Sequence, residues 1–172
     1  MNLNEFFQDK SIKSKEKIEI LSNTVLNGEI SLRELLDFAS LSKNPVKASC
    51  IEALEFSTQV KHDLLDQETF DFITENLSAD APRIKWESAK VIGNTAKNFP
   101  ENLNDPITKL IENTTYEGTV VRWSAAFALS KILNINDNLK NKLLLQIKDI
   151  CDKEEKNSIK KIYQKAIKTA EK

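Results

Sequence analysis

The chain has 172 residues, 40% of them apolar, with only three glycines and four prolines. That composition fits a single domain with a continuous core and disfavours β-rich and disordered classes. A net charge of −1 and a pI near 6.0 exclude a global pull toward nucleic acid or anionic membrane.

In chain order, residues 1–10 lack the apolar core of a signal peptide. The longest unbroken apolar run, Ala125–Leu129, falls far short of the roughly 18 residues of a membrane span. The expected setting is therefore cytoplasmic. A short helix is expected near Leu3–Phe7. A second spans Lys15–Leu26 with Ile18, Leu21 and Val25 on one face, and is closed by Asn27-Gly28. These two read as an N-terminal helical cap over 1–28.

Four helix pairs follow, in segments 29–65, 66–102, 103–136 and 137–172. Their first helices are expected over Leu32–Leu41, Glu68–Leu77, Pro106–Thr114 and Leu139–Cys151. Their second helices are expected over Pro45–Gln59, Pro82–Asn98, Thr119–Leu133 and Asn157–Glu171. Pro45 and Pro82 suit a first helical turn, with Asn44 and Asp80 as caps ahead of them. One phrase recurs in every second helix: Val46-Lys47 to Leu54, Ile84-Lys85 to Ile92, Val121-Arg122 to Leu129, and Ile159-Lys160 to Ile167. The copies start 38, 37 and 38 residues apart. Such a period marks a helical solenoid, an all-α stack in which each unit packs on its neighbours. Leu32, Phe70, Ile107 and Leu145 occupy equivalent first-helix positions and are expected in the core. Leu35, Ile73 and Leu110 fill the next one, where Lys148 interrupts the pattern.

The second helices resemble those of the HEAT-repeat family, which carry a D/N-P-x-V-R-x-x-A-A-x-A-L-G type of pattern. Asn44-Pro45-Val46-Lys47, Ala89-Lys90-Val91-Ile92-Gly93 and Val121-Arg122 with Ala125-Ala126-Phe127-Ala128-Leu129 carry the likeness over about residues 30–170. The resemblance implies a right-handed α-solenoid of about four HEAT-like helix pairs, with the second helices lining a concave side. The last copy replaces the Ala-Ala pair with Tyr163-Gln164. The family's aspartate six residues before the arginine is replaced by Leu41, Ala79, Tyr116 and Glu154, so only Glu154 keeps a carboxylate there.

Stepping 100° per residue from Ile84 puts Ser88, Val91, Ile92 and Thr95 on the core face. The opposite face carries Trp86, Lys90, Gly93 and Lys97. The same register gives Ala48, Glu52, Glu55 and Gln59, then Trp123, Phe127, Ser130 and Asn134, then Lys161, Lys165, Lys168 and Lys172. The inferred groove runs from acidic through aromatic to lysine-only. Segment charges agree: net −6 over 44–80 and +5 over 156–172.

Trp86 and Trp123 read either as a ligand shelf or as peripheral packing, and the lysine row either as a contact surface or as a solubilising cap. Glu52 and Glu55 share a face but have no base or metal partner, so no catalytic site is expected. His62 is a lone connector histidine and is not expected to bind metal. Cys50 lies on the core face, and Cys151 sits among acids that disfavour a thiolate. No cofactor is expected. The reading is a non-enzymatic scaffold that binds another protein or peptide through Glu52, Glu55, Trp86, Lys90, Lys97, Trp123, Phe127, Lys161, Lys165 and Lys168, as a monomer or weak homodimer. The alternatives are a nucleic-acid-binding protein of the DNA alkylation repair type, which the acidic first repeat disfavours, and a structural or oligomerisation module.

Overall fold

Side-chain caps set where several helices begin. In the computed structural model, which describes residues 1–172, Asn2 accepts amides at the start of α1 (Leu3–Gln8), and Asp66 accepts from Thr69 N–H at 2.8 Å to start α5 (Gln67–Asn76). Ser31 and Glu34 form a capping box at α3 (Leu32–Leu41), and Asn136 caps α9 (Asp137–Lys153). Proline stands in the first turn of α4 (Asn44–Val60) and α6 (Pro82–Thr95). The expected caps Asn44 and Asp80 are not used. Extended Lys43 and Ala81 hold the cap positions, and neither makes a side-chain cap bond. Ala81 is extended as a residue before proline prefers, so α6 starts at Pro82, one step beyond the reach expected of Asp80.

The remaining helices are α2 (Ser14–Leu26), α7 (Asn104–Asn113), α8 (Thr119–Ile132) and α10 (Asn157–Ala170), with a 3-10 turn at Ala96–Asn98 closing α6. The chain has no strand. Gly28 ends α2 at φ +72°, where Glu29 N–H reaches Thr24 O at 3.0 Å and Gly28 N–H reaches Val25 O at 3.1 Å. That crossed pair satisfies the last carbonyls and requires a left-handed residue.

The helices form an α-solenoid of two layers. One layer holds α2, α4, α6, α8 and α10, and the other α3, α5, α7 and α9. Neighbours in the first layer pack along much of their length, whereas α3, α5 and α7 barely touch one another. Small residues permit the close approach: Ala89, Ala126 and Ala128 are fully buried, and Gly93 lies against Phe127. The layer of α2, α4, α6, α8 and α10 is thus the more closely packed of the two. The recurring core stripe is buried as expected, with Ile84, Ser88, Val91, Ile92 and Thr95 on α6 and Val121, Ala125, Ala128 and Leu129 on α8.

One first-helix expectation is overturned. Leu145 is 70% exposed, while Leu143, Ile147 and Cys151 form the buried stripe of α9. The connector Glu154–Lys156 is two residues shorter than Leu77–Ala81 or Thr114–Gly118. Counting back from Lys160 across the shorter connector therefore misses the core position, which Ile147 fills in place of Leu145.

Units are tied by bonds across the missing aspartate position. Arg122 Nε donates to Glu154 Oε2 at 3.1 Å, so the one retained carboxylate forms a rung to the preceding unit. Lys85 Nζ donates to Asn113 Oδ1 at 3.1 Å and lies 5.6 Å from the Tyr116 ring, so an amide and an aromatic face replace the carboxylate there.

Candidate functional site

The first-layer face divides into two chemically distinct halves. In the half built by α4 and α6, the charges meet one another. Glu52 pairs with Arg83, which also reaches Ser49 Oγ. Lys90 Nζ lies 3.3 Å from Glu55 Oε2 and 3.0 Å from Glu87 Oε2, bridging two helices. Gln59 donates to Glu55 Oε1 at 2.6 Å, and Trp86 Nε1–H donates to Glu87 Oε1 at 2.7 Å. Glu55 and Glu87 are buried, and Lys90 and Trp86 are half-buried. Burial pushes the Glu87 carboxyl above its ordinary value, against the pull of Lys90. Burial alone would depress the Lys90 ammonium, but Glu87 and Glu55 outweigh it and hold Lys90 above its ordinary value.

Three carboxylates and two cations thus largely neutralise one another. The expected acidic end of the groove is present as residues but not as free charge. The net −6 of segment 44–80 also divides between layers, since Glu68, Asp71 and Glu75 lie on α5. Ala48 and Gly93, expected to line the face, are buried between helices instead. A Cβ at Gly93 would sit 2.6 Å from Phe127 Cε1, so the glycine makes room for that ring.

In the half built by α8 and α10, the groups remain free. Trp123 is 40% exposed and stacks on Phe127 with centroids 5.8 Å apart and planes at 6°. Val120 beside it is 50% exposed. Lys131 Nζ stands 5.7 Å from the Phe127 centroid. A notch of about 240 Å³ opens at the start of α8 and α10, lined by Val120, Trp123, Lys156 and Ile159 among others. Lys161, Lys165 and Lys168 are exposed along α10, and none pairs with a carboxylate. Lys97 is exposed in the 3-10 turn, beside a shallow depression shared with Asn94, Lys131 and Asn134.

A second groove, of about 690 Å³, lies between α2, α4 and α6, with exposed Phe56 and Val60 on its wall. The sequence reading did not single out Arg83, Glu87 or Val120. Arg83 stands 31 residues from its partner Glu52, and Asn94 stands 36 from Thr58. Opposite charges spaced by nearly one repeat period are the signal that marks such contacts. Cys50 is buried and its thiol is pushed up to about 12, so it is an inert core group. No helix is long and apolar enough to cross a membrane.

No family model matches the sequence, and no curated protein matches it. Solved structures do match. A structure of the complex of CpcE and CpcF of phycocyanin lyase from Nostoc sp. PCC7120 aligns with TM-score 0.73 at 17% identity, covering 95% of this chain and 94% of that one. A designed armadillo repeat protein in complex with the peptide (KR)4 aligns with TM-score 0.72 at 16% identity, covering 98% and 80%. An engineered protein aligns with TM-score 0.72 at 18% identity, covering 98% and 79%. The likeness is one of architecture: this chain is a helical-repeat protein with the HEAT- and armadillo-like α-solenoid fold.

Proposed function

We propose that this chain is a non-enzymatic protein-interaction module that captures a partner segment across its α4–α6–α8–α10 face, with Trp123 and Phe127 as the anchor. The carrying observation is exposed Trp123, stacked on half-buried Phe127 and flanked by exposed Val120. A large aromatic held out of the core contributes little to folding and much to association. Two fold neighbours support the reading: one is a complex of two proteins and another holds a bound peptide. Trp86 plays a lesser part, because its indole N–H is already committed to Glu87.

A photo-crosslinking residue placed at 123 tests this in the native cell, with the same residue at Glu75 on the opposite layer as control. The expected result is a partner adduct at 123 and none at 75. Equal adducts at both positions, or an adduct at 75 alone, would overturn the proposal. Acrylamide should quench Trp123 more readily than Trp86. A protein that doubles its mass on concentration and protects Trp123 in doing so would point to self-association instead.

A further inference from the structure

The two halves of the face differ in how much charge is left for a partner. On α4 and α6 the carboxylates of Glu52, Glu55 and Glu87 are engaged by Arg83 and Lys90. On α10 the cations of Lys161, Lys165 and Lys168 are exposed and engaged by nothing, and Glu171, the one acid near the end of that helix, is held by Lys148 at 2.6 Å. The uncompensated charge of this face is therefore positive, although the whole chain carries −1. It lies beside exposed Trp123, stacked on half-buried Phe127, and the notch between Val120, Trp123 and Ile159.

We infer that the captured segment carries an apolar anchor followed by acidic side chains, the anchor seated in the notch at Val120, Trp123 and Ile159 and the acids laid along Lys161, Lys165 and Lys168. The inference rests on the interaction-face reading above and adds the chemistry of the partner. Helix geometry also gives a spacing. Lys161 and Lys165 are four residues apart, about 6 Å along the axis. An extended peptide rises about 3.3 Å per residue, so carboxylates two residues apart match that pair. An acidic protein segment fits better than a nucleic acid. A phosphate backbone continuing along the face would need free positive charge throughout, and on α4 and α6 the cations Arg83 and Lys90 are already held by Glu52, Glu55 and Glu87.

The test uses the full-length protein with three labelled probes: an eight-residue peptide with one phenylalanine followed by alternating glutamates, its twin with lysines for glutamates, and a ten-nucleotide single strand of DNA. Binding is read by fluorescence anisotropy at low and at physiological salt. The glutamate peptide should bind at least about tenfold more tightly than its twin and weaken with salt. K161E/K165E should lose that preference with unchanged helicity by circular dichroism, since both side chains stand free. Tighter binding of the lysine peptide that still depends on Trp123 would overturn the acidic assignment and leave the interaction face standing. Binding that ignores both Trp123→Ala and K161E/K165E would overturn both. No peptide binding at about millimolar concentration, or preferential binding of the oligonucleotide, would overturn the acidic-segment inference.

Discussion

The α4–α6 half and the α8–α10 half of one helical layer occupy equivalent positions yet treat charge in opposite ways. In the first, Lys90 sits between buried Glu55 and Glu87, and Glu52 meets Arg83. In the second, three lysines in a row have none, and a tryptophan lies in the open on a phenylalanine. The difference teaches that charge counted along a chain is not the charge a surface offers. What matters is which residues one repeat period away answer it. The paired charges of the first half tie α4 to α6, and the lysines of the second are left to solvent.

The sharpest way to break that comparison is Lys90→Ala. It leaves Glu55 and Glu87 buried without their cation and should cost about 3–5 kcal/mol at neutral pH. Because the folded Glu87 carboxyl titrates above its ordinary value, it takes up a proton sooner in the fold than in the unfolded chain. Its contribution is present at low pH and is lost as pH rises. The Lys90→Ala defect should accordingly shrink as pH falls toward 5, as measured by chemical denaturation at two pH values. A defect that is small or independent of pH would mean that the bridge is not structural.

Overpacking the layer comes next. Ala126 is fully buried, and Ala126→Leu should destabilise by roughly 1–3 kcal/mol. Gly93→Ala should act similarly by displacing Phe127, and should also alter Trp123 emission. An unchanged denaturation midpoint in Ala126→Leu would show that this flank is loose.

Alkaline pH gives a graded effect through Cys50, modest in the first unit above pH 9. Its folded thiol is raised to about 12 from 9.0 by burial, so its contribution is complete below pH 9 and lost as pH climbs toward 12. The decline approaches about 1.4 kcal/mol per pH unit within that window. Cys50→Ala should lessen it, leaving the part carried by Cys151 and Tyr163, which burial also pushes up, and an identical slope in both proteins would refute the assignment. The smallest effect belongs to Lys165→Ala, which should alter stability by less than about 0.5 kcal/mol. A larger loss would show that the lysine row is bonded after all and would erase the contrast between the halves.

The solenoid was legible because its signal is local: an apolar pair and a basic residue recurring in each second helix. Helix register on α6 and α8 followed from the same signal. The rest depended on distances between helices, which a single helix does not encode. Leu145 was misplaced because the connector before α10 is two residues shorter than in the two preceding units, which offsets the count along α9. Glu55 was read as an open groove residue because its partner Lys90 lies on the next helix. Trp123 and the α10 lysines were readable as exposed because no long-range partner intervenes.

The unequal contact within the two layers has a mechanical consequence. Closely packed α4, α6 and α8 should resist stretching more than α3, α5 and α7, which are held chiefly by the first layer and touch one another little. Such a body behaves as a leaf spring with one stiff leaf. A segment gripped between Trp123 and α10 would be felt as a change in bend, and tension on the two ends of the chain would alter the grip.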